Sequence, residues 1–208
     1  GAGKLENVEV IAERACEMLF AKKDMEGLRV MVTAGPSREA LDPVRYISNR
    51  SSGKMGYAIA QAAQKRGAEV TLLSGPVAIE APLGVKLVPF TTTQELLDHA
   101  LELVDEQDII IQAAAPADYR AQEIEPQKIK KQSGEPLTLT LVENPDVAAT
   151  IGQKKKASQV FVGFAAETND VIEHAQGKLM RKNLDMIVAN DVTRPGAGFD
   201  VDTNIVTL

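Results

Sequence analysis

The chain has 208 residues, of which 44% are hydrophobic and 25% are charged, so it is long enough for one α/β domain with a substantial core. Its formal net charge of -6 argues against a protein that coats nucleic acid or an anionic membrane surface. One cysteine and two widely spaced histidines provide neither a disulfide framework nor the ligand spacing of a zinc site. The sequence has no apolar run long enough to span a membrane and no secretory signal, which predicts a cytoplasmic protein.

The first predicted element is an amphipathic helix over residues 5–20, and a polar linker follows it up to residue 27. Beyond the linker, apolar runs typical of buried strands alternate with helical patterns, which predicts an α/β fold of the Rossmann-like, doubly wound type with a mainly parallel sheet. The first predicted helix is "GKMGYAIAQAAQKRGA", residues 53–68. A second begins after a Thr92 cap, and a third covers about 170–183. The predicted strands are "LRVMVTAG" (28–35), "EVTLLSG" (69–75), "DIIIQAAA" (108–115), "LTLTLVEN" (137–144), "VFVGFAAET" (160–168) and "DMIVAND" (185–191).

The loops that follow these strands are the candidate ligand site, because open parallel sheets bind ligands beyond the carboxyl ends of their strands. The least regular segment, residues 116–136, is long for a connection in such a domain and contains the basic run "KIKK" at 128–131. Such segments are usually functional lids or disordered, and we predict a long basic lid loop. The loops expected to converge on one crevice are "AGPSRE", "SGP", "AAAPADYR", "ENPD" and "AAETND".

The stretch "SNRSSGKMG", residues 48–56, stands between an extended segment and a helix and has the composition of an anion site. It is not a P-loop, because Ser48 occupies the first glycine position and Met55 follows Lys54. It still offers hydroxyl and backbone N–H donors at a helix start, where the helix dipole favours an anion. A capped helix with a glycine-rich entry is the alternative, and the residues alone leave both interpretations open.

The fingerprint of a dinucleotide site is absent, because "TAGPSREALDP" has one glycine and a long insert before the helix. The second strand also ends in Ser74, Gly75 and Pro76, where a typical NAD site has Asp or Glu. These departures count against an NAD(P)-dependent oxidoreductase. A non-catalytic nucleotide-sensing module would share the crevice, and the residues do not separate it from an enzyme.

Several further side chains have both a functional and a structural interpretation. The run Lys128–Lys131 can neutralise a polyphosphate or form a solvated basic turn. Asp118 can hold ribose hydroxyls or a metal, or it can be an ordinary loop carboxylate. Phe164 can equally be a core residue, and Asn144 can equally be a helix cap. Lys178 and Lys182 have i, i+4 spacing and therefore share one helix face. From the residues alone, the chain is a nucleotide or phosphate binder with a basic lid.

Six segments occur in an order that resembles the phosphopantothenate–cysteine ligase family of coenzyme A biosynthesis, and the resemblance extends from about Leu28 to the end of the chain. In most bacteria this ligase is the C-terminal half of a bifunctional protein whose N-terminal half is a flavin-dependent decarboxylase. The resemblance implies that residues 1–27 are a connector from that FMN-binding decarboxylase domain. Residues 28–208 would then form a CTP-dependent ligase domain without its last segment. The six segments are "TAGPSREALDPVRYISNRSSGKMG", "AAAPADYR", "KIKK", "ENPD", "GFAAET" and "KNLDMIVAND".

The resemblance implies a two-step reaction that uses CTP and Mg²⁺. Phosphopantothenate attacks the α-phosphate of CTP to give an acyl-cytidylate and pyrophosphate, and the amine of L-cysteine then displaces CMP. Positioning and charge neutralisation do most of the work in such a reaction, which fits the lack of a catalytic-triad spacing in the sequence. Members of the family are homodimers, with the lid region near the dimer interface.

The resemblance also assigns the site residues. Asn49 matches the asparagine associated with the acyl-cytidylate, and Lys128 matches a lid lysine needed for conversion of that intermediate, so these two are the predicted catalytic residues. No metal ligand is assigned. Pro116 is a departure, because the more common pattern has valine at this position. The predicted nucleotide-binding residues are Lys128 and Ser51, Ser52, Gly53, Lys54, Gln112, Ala113, Ala114, Asp118, Val142, Glu143, Asn144, Pro145, Phe164, Lys178 and Lys182.

Overall fold

The computed structural model of the protein describes residues 22–131, 134–167, 171–191 and 205–208, together with Val8, Ile11 and Ala15. These three isolated positions are helical, which agrees with the predicted N-terminal helix, and the remaining residues of that helix lie outside the described part. The end of the predicted "AAETND" loop and the first residue of the helix predicted from about 170 also lie outside it. Within the described residues, no helix combines the length and the apolar character needed to cross a bilayer.

The described elements follow the predicted alternation of strands and helices. The helices are α1 (Lys54–Lys65), α2 (Thr93–Leu103), α3 (Val147–Lys154) and α4 (Val171–Arg181). The strands are β1 (Arg29–Ala34), β2 (Arg38–Ala40), β3 (Tyr46–Ser48), β4 (Glu69–Ser74), β5 (Lys86–Pro89), β6 (Ile109–Gln112), β7 (Tyr119–Ala121), β8 (Leu141–Glu143), β9 (Val160–Glu167), β10 (Met186–Asp191) and β11 (Val206–Thr207).

Seven strands form the central sheet in the order β11-β10-β9-β6-β1-β4-β5. The strands from β5 to β10 in this order pair in parallel, and β11 pairs antiparallel with β10. The parallel strands therefore have the order of a doubly wound nucleotide-binding sheet, and the predicted Rossmann-like α/β fold is confirmed. The strand order reverses between β1 and β6, and this switch point is where such sheets bind their ligands.

Helices cover both faces of the sheet, because successive side chains of a strand point to opposite sides. On one face Met31 and Phe161 belong to a buried cluster that includes side chains of α2, α3 and α4. On the other face Val30 and Val32, neighbours of Met31 in β1, pack against α1. Each fully buried apolar side chain of this size stabilises the fold by about 1.5–3 kcal/mol. The two clusters thus fix the strand ends that surround the switch point.

Helix α2 begins at the predicted cap. The hydroxyl of Thr92 accepts a hydrogen bond from the backbone N–H of Glu95 at 3.2 Å. The Glu95 carboxylate in return accepts from the backbone N–H groups of Thr91 and Thr92 at 2.6 and 3.2 Å. This reciprocal arrangement is a capping box, and it satisfies three backbone N–H groups at the start of α2 within the segment itself.

One predicted strand of the central sheet is wrong. Of "LTLTLVEN", only Leu141–Glu143 is extended as β8, and it pairs antiparallel with β7 in a separate two-stranded sheet. Alternating Leu and Thr suit a sheet with one covered face, whereas a central parallel strand is apolar on both faces. Leu137 is accordingly 61% exposed. The edge position of the central sheet is taken by β5, Lys86–Pro89, which was not predicted.

Candidate functional site

A crevice of about 1220 Å³ opens along the carboxyl ends of the central strands, where the strand order reverses between β1 and β6. Its position is the one expected for a ligand site in a doubly wound sheet. The loops after β6 and β8, the start of α1 and the end of α4 all contribute to it. Its lining includes Ser51–Tyr57, Thr93, Gln112–Tyr119, Glu143–Ala148, Gly163–Ala165, Lys178, Lys182 and Asn190.

The start of α1 faces this crevice without a side-chain cap. Gly53 occupies the cap position with a φ of 79° and provides no side-chain cap. A Cβ on Gly53 would lie 2.9 Å from Cγ1 of Val77, so both the backbone conformation and the space require glycine. Uncapped N–H groups and the helix dipole favour an anion. The geometry supports anion binding over the capped-helix interpretation of "SNRSSGKMG".

The loop after β6 is tied to β1 and to the residue that follows β3. The backbone N–H of Ala114 donates to the hydroxyl of Thr33 at 3.0 Å. The side-chain amide of Asn49 donates to the carbonyl of Pro116 at 2.9 Å. Asn49 itself does not appear among the lining residues, but Pro116 does. The predicted catalytic asparagine therefore lies at the rim of the crevice, in contact with one of its walls.

Asn144 joins the loops that follow β6 and β8. Its side-chain amide donates to the carbonyl of Ala117 at 2.8 Å, and its side-chain oxygen accepts from Arg120 at 3.1 Å. Its backbone N–H donates to the carbonyl of Asp118 at 2.8 Å. The helix-cap interpretation of Asn144 is wrong, because α3 is capped by Asp146. Asn144 instead holds two walls of the crevice together.

Asp146 has two roles in the wall formed by α3 and α4. Its carboxylate accepts from the backbone N–H of Ala149 at 3.0 Å and forms an ion pair with Lys182, also at 3.0 Å. Burial raises the pKa of Asp146, but the hydrogen bonds from Ala149 and Lys182 together lower it below its usual value. Lys178 lies one turn before Lys182 and also lines the crevice. This wall presents two cations, and their i, i+4 spacing places them on one helix face.

Two buried amide oxygens in the crevice have no hydrogen-bond donor. Gln112 and Asn190 are 7% and 8% exposed, and both line the crevice. In the described part of the chain, no group donates to Oε1 of Gln112 or to Oδ1 of Asn190. An unsatisfied buried polar atom costs about 1–3 kcal/mol, so such atoms in a pocket indicate a ligand with matching donors. Gln112 was predicted, whereas Asn190 was missed, although it belongs to the strand end "MIVAND".

Lys128 and Val142 are the other predicted residues that do not line the crevice. Lys128 borders a second hollow of about 550 Å³, together with Ile129 and Lys130. The backbone N–H of Ile129 donates to the Asp42 carboxylate at 3.0 Å, and its carbonyl accepts from Arg45 at 3.1 Å. The lysine run is thus anchored through Ile129, while its lysine side chains are exposed. Val142 lies in β8, next to the lining residue Glu143.

The described residues contain no cluster of three or more His, Cys, Asp or Glu side chains that could hold a metal ion. Mg²⁺ is usually bound by one or two carboxylates together with the phosphates of a substrate. Asp118 lines the crevice and offers such a carboxylate. The donor set therefore fits a Mg²⁺ ion that arrives with a nucleoside triphosphate.

Residues 25–208 match the family described as the DNA/pantothenate metabolism flavoprotein C-terminal domain. The chain is 49% identical to the coenzyme A biosynthesis bifunctional protein CoaBC of Escherichia coli (strain K12), covering all of this chain and 52% of that protein. It is 47% identical to the protein of the same name from Bacillus subtilis (strain 168), again over 100% of this chain and 52% of the relative. The chain thus spans about half the length of the curated relatives it matches.

Solved structures share the architecture. The crystal structure of the C-terminal domain of CoaBC superposes with a TM-score of 0.72 at 43% identity, covering 80% of this chain and 79% of that one. A mutant of Cab2 in complex with phosphopantothenate-cysteine has a TM-score of 0.67 at 17% identity, covering 89% and 80%, and shares the fold. By sequence and by fold, the chain belongs to the family of DNA/pantothenate metabolism flavoprotein C-terminal domains.

Proposed function

We propose that this chain is the ligase domain of coenzyme A biosynthesis, which joins phosphopantothenate and L-cysteine at the expense of CTP. The observation that carries the proposal is the crevice itself. The uncapped start of α1, Lys178 and Lys182 face it together, which suits the charge of a triphosphate. The relatives that carry the name coenzyme A biosynthesis bifunctional protein CoaBC support the assignment of the pathway.

In the first step, a carboxylate oxygen of phosphopantothenate forms a bond to the α-phosphorus of CTP, and the bond to the leaving pyrophosphate breaks. In the second step, the cysteine amine forms an amide bond with the activated carbonyl, and CMP leaves with the bonding electron pair. The chain's contribution is to hold both partners in line and to neutralise charge. The N–H groups at Gly53 and the α4 lysines would hold phosphates, and Gln112 and Asn190 would accept hydrogen bonds from donors of the nucleotide.

Asn49 and Lys128 are the proposed catalytic residues. The contact between Asn49 and Pro116 supports the role of Asn49, because it places the amide against a residue that lines the crevice. Lys128 lies away from the crevice lining, so its role requires the lysine run to close over a bound nucleotide or to act across a dimer. We propose a homodimer in which the lysine run lies near the interface.

A Mg²⁺ ion bound with the triphosphate would neutralise phosphate charge, and Asp118 is the residue proposed to contact it. In the full-length protein we propose that residues 1–27 connect this domain to a preceding FMN-dependent decarboxylase domain, and we propose a cytoplasmic location. The remaining predicted nucleotide-binding residues that line the crevice, such as Phe164, are proposed to contact the nucleotide. We propose that Val142 affects nucleotide binding only indirectly, through Glu143, the next residue in the chain.

The dehydrogenase alternative has little support in the geometry. At the end of β4, the Ser74 hydroxyl is 2.9 Å from the Tyr57 hydroxyl and donates to the carbonyl of Gly75, also at 2.9 Å. Ser74 is buried, and the strand end offers no carboxylate for ribose hydroxyls.

The test that separates the ligase from a nucleotide sensor uses Asn49→Asp and Lys128→Gln, with Lys130→Gln as the matched control in the same basic run. In a ligase, Asn49→Asp and Lys128→Gln lower kcat for phosphopantothenoylcysteine formation, whereas Lys130→Gln leaves it near the wild-type value. In a sensor, these variants change only the affinity for CTP. Wild-type turnover in Lys128→Gln would remove this lysine from the mechanism.

A further inference from the structure

A chain of buried polar side chains lies at the wall of the crevice, which one of them, Thr93, also lines. It consists of Ser37, Glu39 and Thr93, which are 0%, 4% and 1% exposed, and we call it the Glu39 chain. Ser37 and Glu39 flank Arg38 at the start of β2, whereas Thr93 is the first residue of α2. Polar side chains this deeply buried require partners, so their contacts define what the chain does.

The contacts run in one line from a carboxylate to a backbone N–H. Oε1 of Glu39 accepts from the backbone N–H of Thr93 at 2.9 Å and from its hydroxyl at 2.7 Å. The hydroxyl oxygens of Thr93 and Ser37 are 3.0 Å apart. Oγ of Ser37 in turn accepts from the backbone N–H of Ala117 at 2.9 Å. The last residue of this line lies in the loop after β6, inside the crevice lining.

The carboxylate of Glu39 and the hydroxyl of Thr93 define the hydrogen bonds of the line. A carboxylate only accepts, and each hydroxyl has a single proton. The hydroxyl of Thr93 is the donor both towards Oε1 of Glu39 and towards Oγ of Ser37, so its one proton lies between two acceptors. Oγ of Ser37 is the acceptor for the backbone N–H of Ala117. Networks of this kind strengthen along their length, because each bond polarises the next.

Both polar groups of the Ala117 backbone are fixed by side chains from other segments. Ser37 holds the N–H, and Asn144 holds the carbonyl with its amide at 2.8 Å. The neighbours Pro116 and Asp118 both line the crevice. Glu39 accepts from the backbone N–H of Thr93 at the start of α2, while the cap of that helix is the box formed by Thr92 and Glu95. Glu39 therefore connects the start of α2, through Thr93 and Ser37, to the crevice loop.

We propose that Ser37, Glu39 and Thr93 are positioning residues that fix the peptide of Ala117 and thereby set Asp118 for contact with the bound nucleotide. This inference rests on the proposed function, because it takes a nucleoside triphosphate as the ligand. The crevice wall contacts the nucleotide equally in the ground state and in the transition state. A residue that positions this wall therefore affects nucleotide binding more than the chemical step. The Glu39 chain thus acts on the KM for CTP rather than on kcat.

The test compares Thr93→Val, Thr93→Ser and Thr92→Ala in the full chain. Thr93→Val removes the hydroxyl at nearly constant volume and raises the KM for CTP about tenfold, with kcat within about twofold of wild type. Thr93→Ser keeps the hydroxyl and restores the wild-type KM. Thr92→Ala weakens the start of the same helix without touching the Glu39 chain, so it lowers the Tm and leaves the KM unchanged.

A second variant and a second readout keep the inference testable if Thr93→Val does not fold. Ser37→Ala leaves the N–H of Ala117 without an acceptor and produces the same rise in KM. Amide hydrogen exchange of Ala117, measured without substrates, accelerates about tenfold or more in both variants. Wild-type exchange and KM in Thr93→Val or Ser37→Ala, or an equal KM rise in Thr92→Ala, overturns the inference. A wild-type chain without CTP turnover overturns the proposed function instead, while the exchange measurement still tests the contact.

Discussion

Lys182 and Asp146 form an ion pair at 3.0 Å on the wall of the crevice, and the same carboxylate caps α3. Lys182 faces the crevice and is held in place by Asp146, and Asp146 is itself fixed by its hydrogen bond to the start of α3. Because Lys182 is only 25% exposed, its ammonium group has little freedom to leave the crevice. This arrangement preorganises positive charge for an anionic ligand.

The first prediction concerns Lys182→Met. Loss of the ammonium group weakens CTP binding about tenfold or more, because a charge-assisted hydrogen bond contributes roughly 1.5–3 kcal/mol. Binding of the uncharged nucleoside cytidine changes far less. Isothermal titration calorimetry with both ligands measures the difference. The matched control is Lys156→Met, which removes an exposed ammonium group that pairs with Asp105 away from the crevice. Equal losses for CTP and cytidine contradict the prediction.

The second prediction concerns the unsatisfied oxygen of Asn190. In Asn190→Leu, the free energy of unfolding without ligand changes by less than about 1 kcal/mol, because the lost oxygen has no donor in the described structure. CTP affinity falls about tenfold, since the ligand's donor then lacks an acceptor. Urea denaturation and CTP titration together measure both effects.

Asn183→Ala is the control for that experiment. The side-chain amide of Asn183 donates to the carbonyl of Gly152 at 2.8 Å, and its φ is 50°. This variant lowers the free energy of unfolding by roughly 1–2 kcal/mol. Its CTP affinity stays at the wild-type value. If Asn190→Leu instead resembles Asn183→Ala in both measurements, the oxygen has a structural role only.

The third prediction concerns pH and the buried Asp42, which anchors the lysine run. Burial raises the pKa of Asp42. Hydrogen bonds from the backbone of Ile129, Val44 and Arg45 and from the Arg45 guanidinium outweigh this effect and lower the pKa to about 2. Because the folded-state pKa lies below the ordinary value, the stabilisation is complete above about pH 4 and is lost as the pH falls towards 2.

Asp42→Asn measures that stabilisation. The difference in the free energy of unfolding between wild type and Asp42→Asn is largest near neutral pH and shrinks between about pH 4 and pH 2. Trypsin also cleaves within Lys128–Lys131 faster in the variant at pH 7, because the backbone of Ile129 has lost a carboxylate acceptor. A difference in stability that is constant from pH 7 to pH 3, with unchanged cleavage, contradicts the anchoring role.

Local patterns were sufficient for most of the fold. Continuous apolar runs fixed the strands of the central sheet around Met31 and Phe161, and the Thr92 cap was visible as a threonine three residues before a glutamate. "LTLTLVEN" was misplaced because its alternation was treated as a buried run. The edge strand Lys86–Pro89 is short, and proline at its end weakens the strand signal.

The candidate site was only partly predictable for a different reason. Ligands of parallel sheets bind at the loops that follow the strands, and this rule predicts Asp118 and Asn144. It does not select Asn190, which lies within the end of the last parallel strand. The contact between Glu39 and Thr93 joins residues 54 positions apart, and neither residue has a local signature. Tertiary contacts of this kind arise where β2 meets the start of α2, and no short window of sequence contains both segments.

The central claim is that this chain activates phosphopantothenate with CTP, and pyrophosphate release tests it most directly. The measurement compares CTP with ATP in the presence of phosphopantothenate and Mg²⁺, first without L-cysteine and then with it. We predict CTP-dependent release that is limited to about one equivalent without L-cysteine and becomes sustained when it is added. Folded protein that binds CTP but releases no pyrophosphate under either condition would contradict the account.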